Sequence, residues 1–167
     1  MVITMYYINY FFIFSILGHL FESILSKKSG ILFGYWTPVY GFGCLIILFI
    51  HRILDKYQND KNISKISKKV ILFLSSFIIL SIIELIGGYL IELIFGIEMW
   101  NYSNFMFNIG KYISLETSLI WGISSLILIY VLKPFIDKII NRIPKVITYI
   151  LSFLFVLDCM LTLLLKK

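Results

Sequence analysis

The chain has 167 residues, 60% of them hydrophobic and only 14% charged, and its mean hydropathy is +0.95. That excludes ordinary soluble-globular usage and puts the chain in lipid. A net charge of +6 raises the question of a nucleic-acid partner, but no soluble fold is present to display a basic patch, so basic loops beside a bilayer are expected and nucleic acid is not.

Five apolar stretches follow in order, at about residues 5–25, 36–54, 70–95, 114–132 and 146–165. Each can cross about 30 Å of hydrocarbon, which predicts an all-α, polytopic helical bundle forming one transmembrane domain over 1–167. The first stretch has no basic n-region and no small-residue cleavage site, and it carries Glu22, so it is expected to remain in the mature protein. It leads into a connection containing Gly30, Gly34, Tyr35, Trp36, Pro38, Tyr40, Gly41 and Gly43. Pro38 cannot donate a backbone hydrogen bond and the glycines admit unusual backbone shapes, so a re-entrant or broken segment near 30–43 is one expectation. An ordinary turn followed by a helix starting near Pro38 is the other.

Arg52, Lys56, Lys61, Lys65, Lys68 and Lys69 lie between the second and third stretches, and Lys133, Lys138, Arg142 and Lys145 between the fourth and fifth. By the positive-inside rule both connections are cytoplasmic, with the N-terminus inside and the C-terminus outside. Lys166 and Lys167 at the outer end are a modest violation that snorkelling can absorb. The second outer connection, Gly96 to Gly110, mixes Trp100, Tyr102 and Phe107 with Asn101, Asn104 and Asn108. It reads as an interfacial aromatic belt or as the cover of a site. Cys44 and Cys159 sit in apolar runs without metal or disulfide spacing and are expected as buried thiols. Five spans do not divide into inverted halves, so a homo-oligomer would have to supply any symmetry.

Ionisable residues inside spans cost several kcal/mol each unless paired or wet, about 2.5 to 3.5 on insertion scales, so they mark function. Glu22, Glu84, Glu92, Glu116 and Asp158 all fall in the predicted outer half, which points to one outward-biased polar cavity. Ser15, His19 and Glu22 share a helix face, as do Glu84, Gly88 and Glu92, with the glycine allowing another helix to approach. The candidates for substrate binding or proton exchange are His19, Glu22, Tyr40, Glu84, Glu92, Trp100, Tyr102, Asn108, Glu116 and Asp158. The competing reading is that Glu22 and Glu84 cap polar contacts between helices while Glu92 and Glu116 sit at the interface. His19, Glu22, Glu84 and Asp158 lack HExxH or comparable spacing and no GxSxG elbow occurs, so no metal, cofactor or serine-hydrolase chemistry is expected.

The strings Gly18-x3-Glu22, Gly34-x3-Pro38-Val39-Tyr40-Gly41-Phe42-Gly43, Glu84-x3-Gly88-x3-Glu92-x2-Phe95-Gly96 and Trp100-x-Tyr102-Ser103 resemble the bacterial family called putative ABC-transporter type IV, or CmpB-like. Phe107-Asn108-Ile109, Ile113-Ser114-Leu115 and Trp121-Gly122 continue the order, so the resemblance covers roughly Gly18 to Pro134 and the last span agrees only in hydrophobicity. His19 stands where that family shows Trp, Tyr35 where a first Pro often sits and Asn101 where Asp is usual, and Lys111-Tyr112 replaces a Gly-Arg pair. Roles resting on that Asp or that Arg are not carried over; Glu22, Glu84 and Trp100 are intact. The resemblance implies a permease or transporter component for a small solute. No GxxxxGK[ST] loop occurs, so ATP would be hydrolysed by a separate ATPase subunit. The only sizeable surface for such a partner is Arg52 to Lys69, which equally reads as a solvated basic loop near anionic lipid. Two other readings stay open: a membrane-embedded enzyme acting on a lipid or lipid-linked substrate, and a non-transporting accessory or sensor subunit.

Overall fold

A computed structural model describes residues 3–25, 30–61 and 63–166. The start of the connection after the first span, at 26–29, and the terminal Lys167 lie outside the described residues, as does the side chain of Lys61. The elements are α1 (Ile3–Leu25), α2 (Pro38–Lys61), α3 (Lys65–Phe95), α4 (Leu115–Ile127), a π-helical turn (Leu128–Leu132), α5 (Lys133–Ile140) and α6 (Lys145–Leu165). Among the described residues the only β pairing is an isolated bridge between Ile109 and Ile113. Among the described residues five stretches are long and apolar enough to cross a membrane: Ile3–Ile24, Pro38–Gln58, Lys65–Phe95, Leu115–Ile140 and Lys145–Leu165.

Local chemistry sets the boundaries. Pro38 opens α2, where its missing N–H costs nothing. Ser64 caps α3 by accepting from the Ser67 N–H, and Gly96 ends it in the left-handed region at φ 67°. Ser114 and Thr117 form a reciprocal capping box at the start of α4. The fourth span does not stop near residue 132 as the hydropathy suggested. Pro134 has no N–H to give the Tyr130 carbonyl and would crowd it in an α-helix. The preceding turn widens to π, with the Lys133 N–H bonded to the Leu128 carbonyl, and the helix carries on to Ile140. Because α2 and α5 run further than the apolar stretches, Asp55 and Asp137 also fall within spans. The carboxylates of the spans are therefore not confined to the ends predicted to face outward.

The chain forms two compact units, one from the residues up to Leu45 together with those from Ile136 onward, the other from Ile46–Phe135. In the first, the Tyr40 ring fills the space over Gly18, and Gly41 lies against Ser15 and Phe11, neither glycine leaving room for a Cβ. Thr148 donates to Asn9 at 2.8 Å, and Tyr6 and Tyr10 donate to Asp137 at 2.6 and 2.8 Å. In the second, Phe73 packs on Gly122, Ser81 donates to Ser118 at 2.6 Å, and Asp55 pairs with His51 and Lys68. Lipid tails are as apolar as leucine, so helices in a membrane are joined by close approach at small residues and by interhelical hydrogen bonds, which is the pattern seen in both units.

Candidate functional site

In the second unit, Glu84 of α3 is 7% exposed and lies eleven residues before the end of the helix at Phe95, roughly 16 Å inside by helical rise. The Tyr102 hydroxyl donates to its Oε1 at 2.9 Å and the Trp121 indole N–H to its Oε2 at 3.0 Å. Among the described residues no Lys, Arg or His forms an ion pair with it. A carboxylate at that depth with two neutral donors can hold a proton or accept a cation, and either neutralises it.

Further along the same face, the Tyr112 ring fills the space over Gly88, and the Tyr112 hydroxyl donates to Glu92 Oε2 at 2.9 Å. The neighbour that Gly88 admits is thus an aromatic ring from the α3–α4 connection, where the spacing suggested another helix. Lys111 Nζ reaches Glu92 Oε1 at 2.5 Å and also bonds Glu98. Those two carboxylates hold the Lys111 ammonium above its usual range, and Lys111 in turn holds the Glu98 carboxyl below its own. Burial, and then the adjoining Glu92, push the Tyr112 phenol up.

The connection is a built structure. The Tyr102 N–H bonds the Lys111 carbonyl at 2.8 Å and the Phe105 N–H bonds the Tyr102 carbonyl at 2.9 Å. Asn101 accepts from the Ser103 N–H and donates to Glu98, while Asn108 donates to the Gly110 carbonyl, so both amides shape turns. Glu116 accepts from the Met106 N–H at 3.0 Å. Trp100 lies edge-on to Tyr112 with ring centres 5.9 Å apart, its buried indole N–H without a partner.

In the first unit, residues 30–37 are irregular and the helix starts at Pro38, so the connection combines a broken stretch with an ordinary helix start. The Thr37 N–H donates to the Ser15 carbonyl at 2.9 Å. Ser15 is ten residues before the end of α1, which brings the irregular backbone roughly 15 Å down that helix. Such backbone survives in a membrane only when protein satisfies it. Asp158 of α6, 7% exposed, supplies the acceptors: it takes the Phe33 N–H at 2.9 Å, the Gly34 N–H at 2.7 Å, the Trp36 indole at 2.6 Å and the Thr162 hydroxyl at 3.2 Å. The Trp36 ring leaves no room for a Cβ on Gly34. Glu22 is half-buried, hydrogen-bonded by Tyr40 and 3.4 Å from the Thr37 hydroxyl. His19 is buried against the Tyr35 ring, and its Nδ1, like the fully buried Ser15 hydroxyl, has no partner.

The sequence candidates thus fall into two sets: Glu84, Glu92, Trp100, Tyr102, Asn108 and Glu116 in one unit, and His19, Glu22, Tyr40 and Asp158 in the other. Trp121, taken from the sequence as a structural position, bonds Glu84 directly. Sequence reasoning missed Trp36, Thr37, Lys111 and Tyr112. A usable signal existed for Lys111, the only Lys or Arg between Lys69 and Lys133, in a stretch holding Glu84, Glu92, Glu98 and Glu116. No group of three or more His, Cys, Asp or Glu among the described residues could hold a metal ion.

A family model described as Putative ABC-transporter type IV matches residues 9–163, which extends past Pro134 through most of α6. No curated protein and no solved structure matches the chain.

Proposed function

Since this chain belongs to the Putative ABC-transporter type IV family, we propose that it is a multi-pass component of a system carrying a small solute across the cytoplasmic membrane of a bacterium, with Glu84 receiving a cationic group of the solute or an exchanged proton. The observation that carries this reading is the deeply placed Glu84 carboxylate, met only by Tyr102 and Trp121 among the described residues. A charge so far from either end of its helix is costly, and intramembrane acids of this kind commonly serve solute or proton pathways. Tyr102 reaches Glu84 from the α3–α4 connection, so that connection would both cover the acid and open to admit the solute.

ATP hydrolysis would reside in a separate subunit, because the chain has no phosphate-binding loop. The basic segment Arg52 to Lys69 would lie in the cytoplasm and the α3–α4 connection outside. An impermeant thiol reagent applied outside should then label Asn104→Cys and not Lys56→Cys; the opposite pattern would invert this orientation. For function, the chain is reconstituted in liposomes with any ATPase that co-purifies with it, and uptake of a panel of radiolabelled cationic and neutral solutes is followed. Wild-type uptake with loss in Glu84→Gln, at unchanged thermal stability, is the expected result. Full uptake by Glu84→Gln would remove Glu84 from the pathway, and no uptake of any solute by the wild type would favour an accessory role.

A further inference from the structure

We propose that the α3–α4 connection is inserted in the lipid leaflet on its side of the membrane, with Phe105, Met106, Phe107 and Ile109 as the side chains that enter the acyl region. These four residues lie outside the spans yet are 46%, 68%, 73% and 67% exposed. No charged residue occurs from Met99 to Gly110. An aqueous loop that displays this much apolar surface with no charge invites aggregation, and such a patch marks a surface that is covered in the working state.

The depth of the connection identifies lipid as the cover. Met106 is hydrogen-bonded through its N–H to Glu116, in the first turn of α4, so it sits level with the end of a membrane span. Tyr102, one tight turn earlier, reaches eleven residues down α3 to Glu84. The connection therefore hugs the helix ends and does not rise into water. Its apolar residues also continue the exposed apolar surface of those ends, Leu93, Ile94 and Ile97 on the α3 side and Leu115, Leu119 and Ile120 on α4. That surface faces lipid in any membrane-spanning bundle, and apolar and aromatic side chains at its rim partition to the interface.

The stretch is also held in shape. Phe107 adopts φ 49°, a left-handed conformation that opposes an aromatic residue, and the Asn108–Gly110 bond and the Ile109–Ile113 bridge lock the turn around it. Strain of this kind persists where the surroundings over-determine it, and here the result is a fixed apolar prong. The prong and Tyr102 belong to one hydrogen-bonded connection, so the leaflet would hold the cover over Glu84 in place. That holds whether or not Glu84 serves transport.

The test uses the full chain in liposomes of phosphatidylethanolamine and phosphatidylglycerol. A lipid-dissolved carbene reagent is photolysed with the unaltered protein and adducts are mapped by peptide mass spectrometry; adducts on Phe105–Ile109, at a yield comparable to Leu93, are expected. In a Cys44→Ser, Cys159→Ser background, a nitroxide at Met106→Cys should collide with oxygen and be inaccessible to a water-soluble nickel chelate. Accessibility to the chelate, or absence of adducts from 105–109 while Leu93 is labelled, would overturn the proposal. A nitroxide shielded from both quenchers would also overturn it, pointing to a second copy of the chain as the cover.

Discussion

Glycines 87 and 88 are adjacent and look alike in sequence, yet their surroundings make opposite predictions. A Cβ on Gly88 would overlap the Tyr112 ring, whereas one on Gly87 meets nothing within 4 Å. Gly88→Ala should therefore destabilise the protein by about 1–3 kcal/mol through overpacking, while Gly87→Ala should be neutral or stabilising by up to about 1 kcal/mol through reduced backbone entropy in the unfolded chain. Thermal unfolding of both variants in detergent checks the contrast; similar shifts for the two would mean that Tyr112 does not occupy that position. Trp121→Phe should cost about 1–3 kcal/mol by leaving a Glu84 oxygen buried without its donor. At this scale the sequence was half legible. Spacing along α3 singled out Glu84, Gly88 and Glu92 as one face, because a helix repeats predictably. It could not say what meets that face, since Tyr102, Tyr112 and Trp121 arrive from 18 to 37 residues away through a connection with no periodicity.

The α1–α2 and α3–α4 connections are the elements that sequence described least well, and each is held by a few polar residues. In the α3–α4 connection these include Lys111 and Glu98. The lowered Glu98 carboxyl contributes stability above the ordinary value of 4.5, lost as pH falls through its lower folded value. The raised Lys111 ammonium contributes below 10.5, lost as pH rises through its higher folded value. Protease cleavage within the connection should thus be flat between those limits, rise in acid, and rise at all pH values with salt, because the pair is exposed to screening. Lys111→Met should raise the baseline and flatten the acid limb. In the α1–α2 connection the corresponding residue is Asp158. An amide there keeps one acceptor oxygen but turns an N–H2 toward donors, so Asp158→Asn should release residues 30–37 at a cost of about 1.5–3 kcal/mol. Faster thiol labelling at Tyr35→Cys is the readout, and unchanged labelling would show that the segment is held by other contacts. Hydropathy marked Asp158 as functional because a charge in a span is costly; it could not show that four donors from its own unit already occupy it.

Across the whole molecule, the number and order of spans were legible because apolar length is dictated by the bilayer and needs no knowledge of partners. What composition could not reveal was where polar side chains pair. Asp55 and Asp137 escaped notice because the apolar stretches end before them, although the helices continue. A bundle joined by such pairs should resist loss of apolar volume on its outer faces better than loss of a single hydroxyl inside. Phe153→Leu, at a side chain of α6 that is 68% exposed, should be nearly silent in unfolding assays, while Ser118→Ala should cost about 0.5–1 kcal/mol by removing the interhelical hydrogen bond with Ser81, which keeps only its bond to the Phe77 carbonyl.

The carboxylate that fixes residues 33–36 is contributed by residue 158, more than 120 positions later in the chain. During synthesis the second unit, Ile46–Phe135, is available in full before α6 has left the ribosome. The α1–α2 connection must wait, its donors to Asp158 unanswered, until α6 is inserted. A segment made early in synthesis is therefore completed only by a helix made much later.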